Sequence, residues 1–206
     1  NGPLFEYLLA AGFALGGGAE WPRIFMLAVG ALTVGGTYLL GASLAALRFG
    51  LAPGPGEQGT AAGRGGRRGH APRIAGTVAA ALMAVALIPV VVNSHIAWSN
   101  CSTPFWVTLF LFACIEVHRR AEPRLAVVPA LLAGLALQSH PSAVVFVFGG
   151  GLWLAIARRA WLRTRWPWIA VGIALASVSN MAWFHLSTGG AAIERAVIVV
   201  TGAGTM

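Results

Sequence analysis

Residues 93–104 read N-S-H-I-A-W-S-N-C-S-T-P, a polar segment set between two strongly apolar runs, 74–92 and 105–117. Hydrocarbon offers no partner for such groups, and leaving one unpaired there costs several kcal/mol, so they must face water or a cavity enclosed by protein. The flanking runs lack almost all charge, which makes them candidate membrane helices. The segment between them becomes a rim where two helices surface.

Composition agrees with that reading. Apolar residues make up 57% of the chain and charged residues 10%, outside the range of a soluble domain. The basic residues are all arginine, and the formal net charge of +8 would suit nucleic acid if they formed one surface. They fall in short clusters between apolar runs, the pattern of cytoplasmic loops, so nucleic acid is set aside as a partner. Cys101 and Cys114 are thirteen positions apart, which along a helix is about 20 Å. That is too far for a disulfide, and both read as small packing residues. Beginning at Asn1 and ending at Met206, the chain reads as an internal piece of a longer protein.

Residues 1–20 open with N-G-P, run through about twelve apolar positions and stop at three glycines, Gly16, Gly17 and Gly18. Twelve residues are too few to cross about 30 Å of hydrocarbon, so this stretch is expected to lie along the outer interface. The transmembrane domain, 24–206, follows. Its first span, 24–47, carries Gly30, Gly35, Gly36 and Gly41, small residues that let another helix approach closely. Residues 48–73, with the cluster R-G-G-R-R-G-H-A-P-R, have no core to bury and read as a mobile cytoplasmic Gly/Arg loop.

Further spans are expected at 74–92, 105–117, 125–138, 142–157 and 167–186. With the Gly/Arg loop inside, alternation places twelve of the fourteen arginines in the cytoplasm and leaves Arg23 and Arg195 outside. The expected fold is therefore all-α, a polytopic transmembrane helical bundle of about six spans plus the N-terminal interfacial helix. Two spans, 105–117 and 125–138, are short and need flanking polar residues to lengthen them.

The outer face then collects the residues that could carry chemistry. His95, His140 and His185 each close an apolar span, which leaves interfacial hydrogen bonding, a phosphate or sugar contact, and metal ligation open. No carboxylate stands at ligand spacing from them, so no cofactor is assigned and a divalent metal stays open. Gln138-Ser139-His140-Pro141 is a polar joint whose proline suits the first turn of the next helix, serving either as a plain hairpin or as an anion-binding turn. Arg23 departs from the cytoplasmic pattern and could grip a lipid phosphate through two N–H bonds, anchor on headgroups, or pair with Glu20. Glu6 fits a solvated helix face, and Asn100-Cys101-Ser102 is a short, accidental match to a glycosylation acceptor.

The order of these features resembles a family. Residues 2–41, G-P-L-F-E-Y-L-L-A-A-G-F-A-L-G-G-G-A-E-W-P-R followed by the first span, are similar to the segment after the first outer loop of polyprenyl-phosphate-sugar glycosyltransferases. These include the protein O-mannosyltransferases and the lipid A aminoarabinose transferases, of the multi-span GT-C fold. Residues 93–109 and G-L-A-L-Q-S-H-P-S-A at 134–143 resemble two later outer segments of that family, with His140 where a lysine often stands and Gly2 where a basic residue often precedes the turn proline.

The resemblance implies a membrane glycosyltransferase, hexosyl or pentosyl, that moves a sugar from a polyprenyl-phosphate donor to an acceptor (protein, lipid or glycan) on the outer face of the cell membrane. The family's catalytic aspartate would lie upstream of Asn1, so no catalytic residue is assigned here. Lipid-phosphate and sugar binding falls to Arg23, Asn93, His95, Asn100, Gln138 and His140, with membrane lipids as further partners. Two other classes compete: a transporter or flippase for a lipid-linked or amphiphilic solute, and a non-catalytic assembly partner. A transporter would place polar groups at the midplane, whereas the span interiors hold little beyond Thr33, Thr37, Thr108, Ser177 and Ser179.

Overall fold

The computed structural model describes residues 4–49, 70–86 and 99–187, and among these every element is helical. Helix α1, Leu4–Ala14, is closed by Gly16 at φ +93°, a conformation that a side chain would strain. Helix α2, Trp21–Arg48, begins with Pro22 in its first turn, where a missing N–H leaves no bond unmade. Its 28 residues rise about 42 Å. Helix α3 is His70–Val85 and begins four residues before the expected span 74–92, so residues 70–73, expected to lie in the Gly/Arg loop, are helical, while residues 50–69 and 87–92 lie outside the described residues.

A 3-10 turn, Ser99–Ser102, leads into α4, Thr103–Arg120. Ala121 ends that helix in the left-handed region, its N–H donating to the Val117 carbonyl. The 3-10 turn Pro123–Ala126 runs directly into α5, Val127–Ser139, and α6, Ala143–Ala157, follows after a short joint. A last 3-10 turn, Arg159–Arg163, precedes α7, Trp166–Ser187. The two runs that looked short are lengthened by polar ends. The 3-10 turn and α5 together rise about 28 Å, close to the hydrocarbon thickness.

By length and composition alone, α2 and residues Trp166–Phe184 of α7 suffice to cross a membrane, while Pro123–Ser139 and Ala143–Ala157 fall short. The surface, however, is apolar well beyond those two helices. Phe148, Val145 and Ile156 of α6 are 70%, 69% and 68% exposed, on a helix with no charged residue between Ala143 and Ala157. Such a face is stable against lipid and not against water.

Inside, the packing is built from small residues. Ala133, Ala136 and Ala143 are buried. A side chain grown at Gly150 would meet the Phe110 ring at 2.6 Å, one at Gly41 the Ala79 methyl at 2.9 Å, and one at Gly76 the Tyr38 carbonyl at 2.8 Å. Close approach of backbones is how helices associate where lipid removes the hydrophobic driving force. These contacts also fix direction. Gly36 lies by Thr108 and Ser43 by Glu116, so α2 and α4 run parallel. Thr103 meets Ser139 and Cys114 packs with Ala133, so α5 opposes α4. Val107 packs with Ala143 and His118 with Trp153, so α6 follows α4. Ala126 and Ala130 pack on Ala170, while Gln138 reaches Ser177, so α7 follows α5. Arg48, Arg119, Arg120, Arg124, Arg158 and Arg165 consequently share one end of the bundle.

Candidate functional site

The end opposite the arginines is assembled from α1, the start of α2, the 3-10 turn at 99–102, the start of α4 and the end of α5. Phe5, Met26 and Cys101 form a buried cluster that joins α1, α2 and the turn. The Trp21 indole packs against α1 at Gly12, where an added side chain would come within 1.9 Å of the ring, and Phe25 stands 6.0 Å from Trp21 and 5.9 Å from Phe5. An aromatic wedge thus packs the first helix against the start of α2. Both Cys101 and Cys114 are buried packing residues.

On the other side of this end, Ser139 is 1% exposed. Its hydroxyl donates to the Ala136 carbonyl at 2.6 Å and is hydrogen-bonded to Thr103 Oγ1 at 3.0 Å. That bond ties the last residue of α5, where the 138–142 joint begins, to the first residue of α4, directly after the 99–102 turn, although the two are remote in sequence. His140 follows in extended backbone. Its Nδ1 accepts the Ser142 N–H at 3.2 Å and stands 2.8 Å from Ser142 Oγ. An acceptor at Nδ1 leaves the neutral ring's proton on Nε2, so the imidazole offers an N–H donor away from the turn.

Arg23 projects from the first turn of α2. Its Nη1 pairs with Glu20 Oε2 at 3.1 Å, with both side chains about 70% exposed. The pairing foreseen as one alternative is therefore present, and an exposed pair of this kind contributes little to stability, typically about 0–1 kcal/mol. Gln138 plays a structural part: its amide nitrogen donates to the Ser177 carbonyl at 2.6 Å, joining α5 to α7. Arg23, Gln138 and His140 come to the same end without touching one another. Asn93 and His95 lie outside the described residues. Asn100 is placed by its backbone in the 3-10 turn, its side chain lying outside the description, as does that of His185 on α7.

The arginine end holds a polar network that sequence reading missed. Glu116 accepts from Ser43 of α2 at 3.1 Å and from Arg119 at 2.5 Å, and its second oxygen stands 3.8 Å from Arg120. The Glu116-Arg119-Arg120 spacing signals helical i,i+3 and i,i+4 pairs, but the Ser43 partner lies 73 residues away and leaves no local trace. Glu116 is 20% exposed on its side chain, so its removal strands partly buried donors. Glu116→Ala is expected to cost about 1–2 kcal/mol, read as a lower midpoint of denaturation in detergent. Glu116→Gln, which keeps an acceptor for Ser43, should recover part of that loss.

Four hydroxyls within the bundle bond to their own helix. Thr33 donates to the Val29 carbonyl at 2.7 Å, Thr37 to Thr33 at 2.8 Å, Ser177 to Ile173 at 2.8 Å and Ser179 to Ala176 at 2.7 Å. Hydroxyls bonded to their own helix offer little to a solute passing the midplane.

Residues 68–183, more than half of the chain, match the family model of dolichyl-phosphate-mannose-protein mannosyltransferase. The matched region contains the 99–102 turn and the 138–142 joint, while Arg23 lies outside it. No curated protein and no solved structure matches the chain.

Proposed function

Because the chain belongs to the dolichyl-phosphate-mannose-protein mannosyltransferase family, membrane glycosyltransferases of the GT-C kind, we propose that it takes part in moving a sugar from a polyprenyl-phosphate donor to an acceptor hydroxyl on the outer face of the cell membrane. In this reading α2 to α7 each cross the bilayer, six spans in all, α1 lies along the outer interface, and the arginine end faces the cytoplasm. The observation that carries the reading is the Ser139–Thr103 hydrogen bond, which joins the end of α5 to the start of α4 and so brings the polar segments beside them, both within the matched region, to the end away from the arginines.

The chemistry follows from what such a rim can do. A base removes the acceptor proton, the acceptor oxygen attacks the anomeric carbon, and the bond to the lipid phosphate breaks with inversion. The leaving phosphate gathers negative charge as this happens. A cation or N–H donor already in place at that point lowers the barrier, because it need not reorganise as the charge develops. Arg23 and His140 Nε2 take that role, with Asn93, His95 and Asn100 toward the sugar and Gln138 holding the wall behind them. The base is assigned to no residue of this chain. Satisfaction of the interior hydroxyls within their own helices supports chemistry at the rim over passage through the bundle.

Sidedness and chemistry are tested together. Cysteine at Ser142 should react with a membrane-impermeant maleimide in intact cells and cysteine at Arg163 should not, against a low background because Cys101 and Cys114 are buried. His140→Ala should lower transfer from a polyprenyl-phosphate sugar by roughly tenfold, the worth of one hydrogen bond to a charged group. Labelling of both sites from outside would remove the proposed topology, and unchanged transfer by His140→Ala would remove the imidazole from the site.

A further inference from the structure

A groove of about 570 Å³ runs along the outside of α5, α6 and α7. Ala130, Ala133, Gly151, Ala170 and Ala174 line it, Phe110 and Cys114 form its floor, and its walls are otherwise almost wholly apolar. It extends from Ala126 to Leu137 along α5 and from Pro167 to Val178 along α7, in each case about 16 Å at 1.5 Å per residue. That is close to half of the roughly 30 Å hydrocarbon thickness, the depth of a single leaflet.

One end of the groove is charged. Arg158 lines it there, beside Trp161 and Leu162. The Arg158 guanidinium donates to the His118 carbonyl, capping the C-terminus of α4, and lies 5.5 Å from the Trp161 ring. Its Nε is buried and meets no acceptor in the protein. The adjoining residues 158–165, R-R-A-W-L-R-T-R, carry four arginines and no acid. Arg159 and Arg163 form no ion pair among the described residues, whereas Arg119, Arg120 and Arg124 are matched by Glu116 and Glu122. Trp161, Trp166 and Trp168 sit at the same level, as interfacial aromatics do.

We propose that this groove binds one anionic phospholipid from the leaflet on the arginine side, with an acyl chain along the apolar wall and the phosphate at Arg158, Arg159 and Arg163. Three features select this occupant. The single-leaflet length fits an acyl chain better than a long polyprenyl tail, the uncompensated positive charge fits an anionic head, and the charged end of the groove, at Arg158, lies at the opposite end of the bundle from the rim proposed for sugar transfer. The third feature rests on the proposed function, whereas the first two require only that the bundle sit in a membrane.

The test uses the full-length protein exchanged into mixed micelles holding phosphatidylglycerol and phosphatidylcholine in equal amounts, with retained lipid quantified by mass spectrometry. The wild type should retain about one phosphatidylglycerol per chain, favoured roughly fivefold or more over phosphatidylcholine. Gly151→Phe fills the groove from a position where an added side chain meets nothing within 4 Å, and it should lose most of that lipid. Gly149→Phe, on the same helix with equal room and off the groove, should keep it. Arg158→Gln combined with Arg159→Gln and Arg163→Gln should abolish the preference for the anionic head. Should that triple variant fail to fold, the Gly151 and Gly149 pair still decides. Equal retention of the two phospholipids by the wild type would overturn the proposal, as would equal behaviour of the two glycine variants. Mole-for-mole displacement of phosphatidylglycerol by added polyprenyl phosphate would overturn it too, and would give the groove to the donor lipid instead.

Discussion

Arg23→Ala should slow sugar transfer by on the order of a hundredfold, the usual effect of deleting one fixed group that stabilises developing charge, while leaving the denaturation midpoint almost where it was. Both halves follow from the surroundings of the side chain. Its one ion pair among the described residues, with Glu20, is exposed on both sides, so its loss costs the fold about 0–1 kcal/mol at most. The start of α2 is held instead by Trp21 on Gly12 and by the Phe5, Met26 and Cys101 cluster.

Glu20→Ala separates the two explanations of Arg23. If the guanidinium serves only to pair with Glu20, removing either partner should do the same harm. If it serves a phosphate, Glu20→Ala should leave transfer unchanged or raise it, because a competing carboxylate has gone. Arg23→Lys should recover only part of the rate, since an ammonium keeps the charge but loses the two parallel N–H bonds. A wild-type rate from Arg23→Ala with polyprenyl-phosphate mannose and polyprenyl-phosphate aminoarabinose alike would take Arg23 out of the mechanism.

The contrast between Arg23 and Gln138 shows what a sequence of this kind discloses. Arg23 stood out because it is a charge on the wrong side of an otherwise regular pattern, and its neighbour Glu20 was near enough in sequence for the pair to be foreseen. Gln138 stood out equally, as an amide at the mouth of a turn, yet its nitrogen is held by the Ser177 carbonyl 39 residues away. Nothing local marks that partner. The same holds for Ser43 with Glu116 and for Arg158 with the end of α4. Each is a tertiary pairing that depends on which helices become neighbours.

Helix positions were more legible than helix ends. The apolar run 24–47 became α2 almost unchanged, but 105–117 became Thr103–Arg120. Glu116, Arg119 and Arg120 satisfy one another along a helix that therefore continues past its apolar limit. Residues 125–138 gained their length from a 3-10 turn that begins at Pro123. A hydropathy reading stops where charge begins, whereas a helix stops where its backbone must turn, here at Ala121.

Gly134 marks a close contact between α5 and α7. A methyl group built there would sit 2.3 Å from Ser177 Cβ and 2.7 Å from Ser177 Oγ. Cβ is fixed to the backbone, so no rotamer of Ser177 relieves the first contact, and α5 must move away from α7. The Gln138 bond to the Ser177 carbonyl crosses the same contact, so it stretches as the helices part. Alanine gains roughly 1 kcal/mol over glycine in a helix, but overpacking in a close interface costs about 1–3 kcal/mol and occasionally more. Gly134→Ala should therefore destabilise by up to about 2 kcal/mol net, and Gly134→Leu by more, read as lower denaturation midpoints in detergent.

The clash names its own rescue. Ser177→Gly removes the opposing Cβ and hydroxyl, and although it weakens α7 alone, combined with Gly134→Ala it should restore stability toward that of Ser177→Gly by itself. The coupling measured by such a cycle should be on the order of 1 kcal/mol or more, as expected for residues in direct contact. Because the joint at 138–142 hangs on the α5–α7 interface through Gln138, the same rescue should also return transfer activity lost by Gly134→Ala. Additive effects of the two substitutions on stability would mean that α5 and α7 do not meet at this point, and the wall proposed behind His140 would lose its anchor.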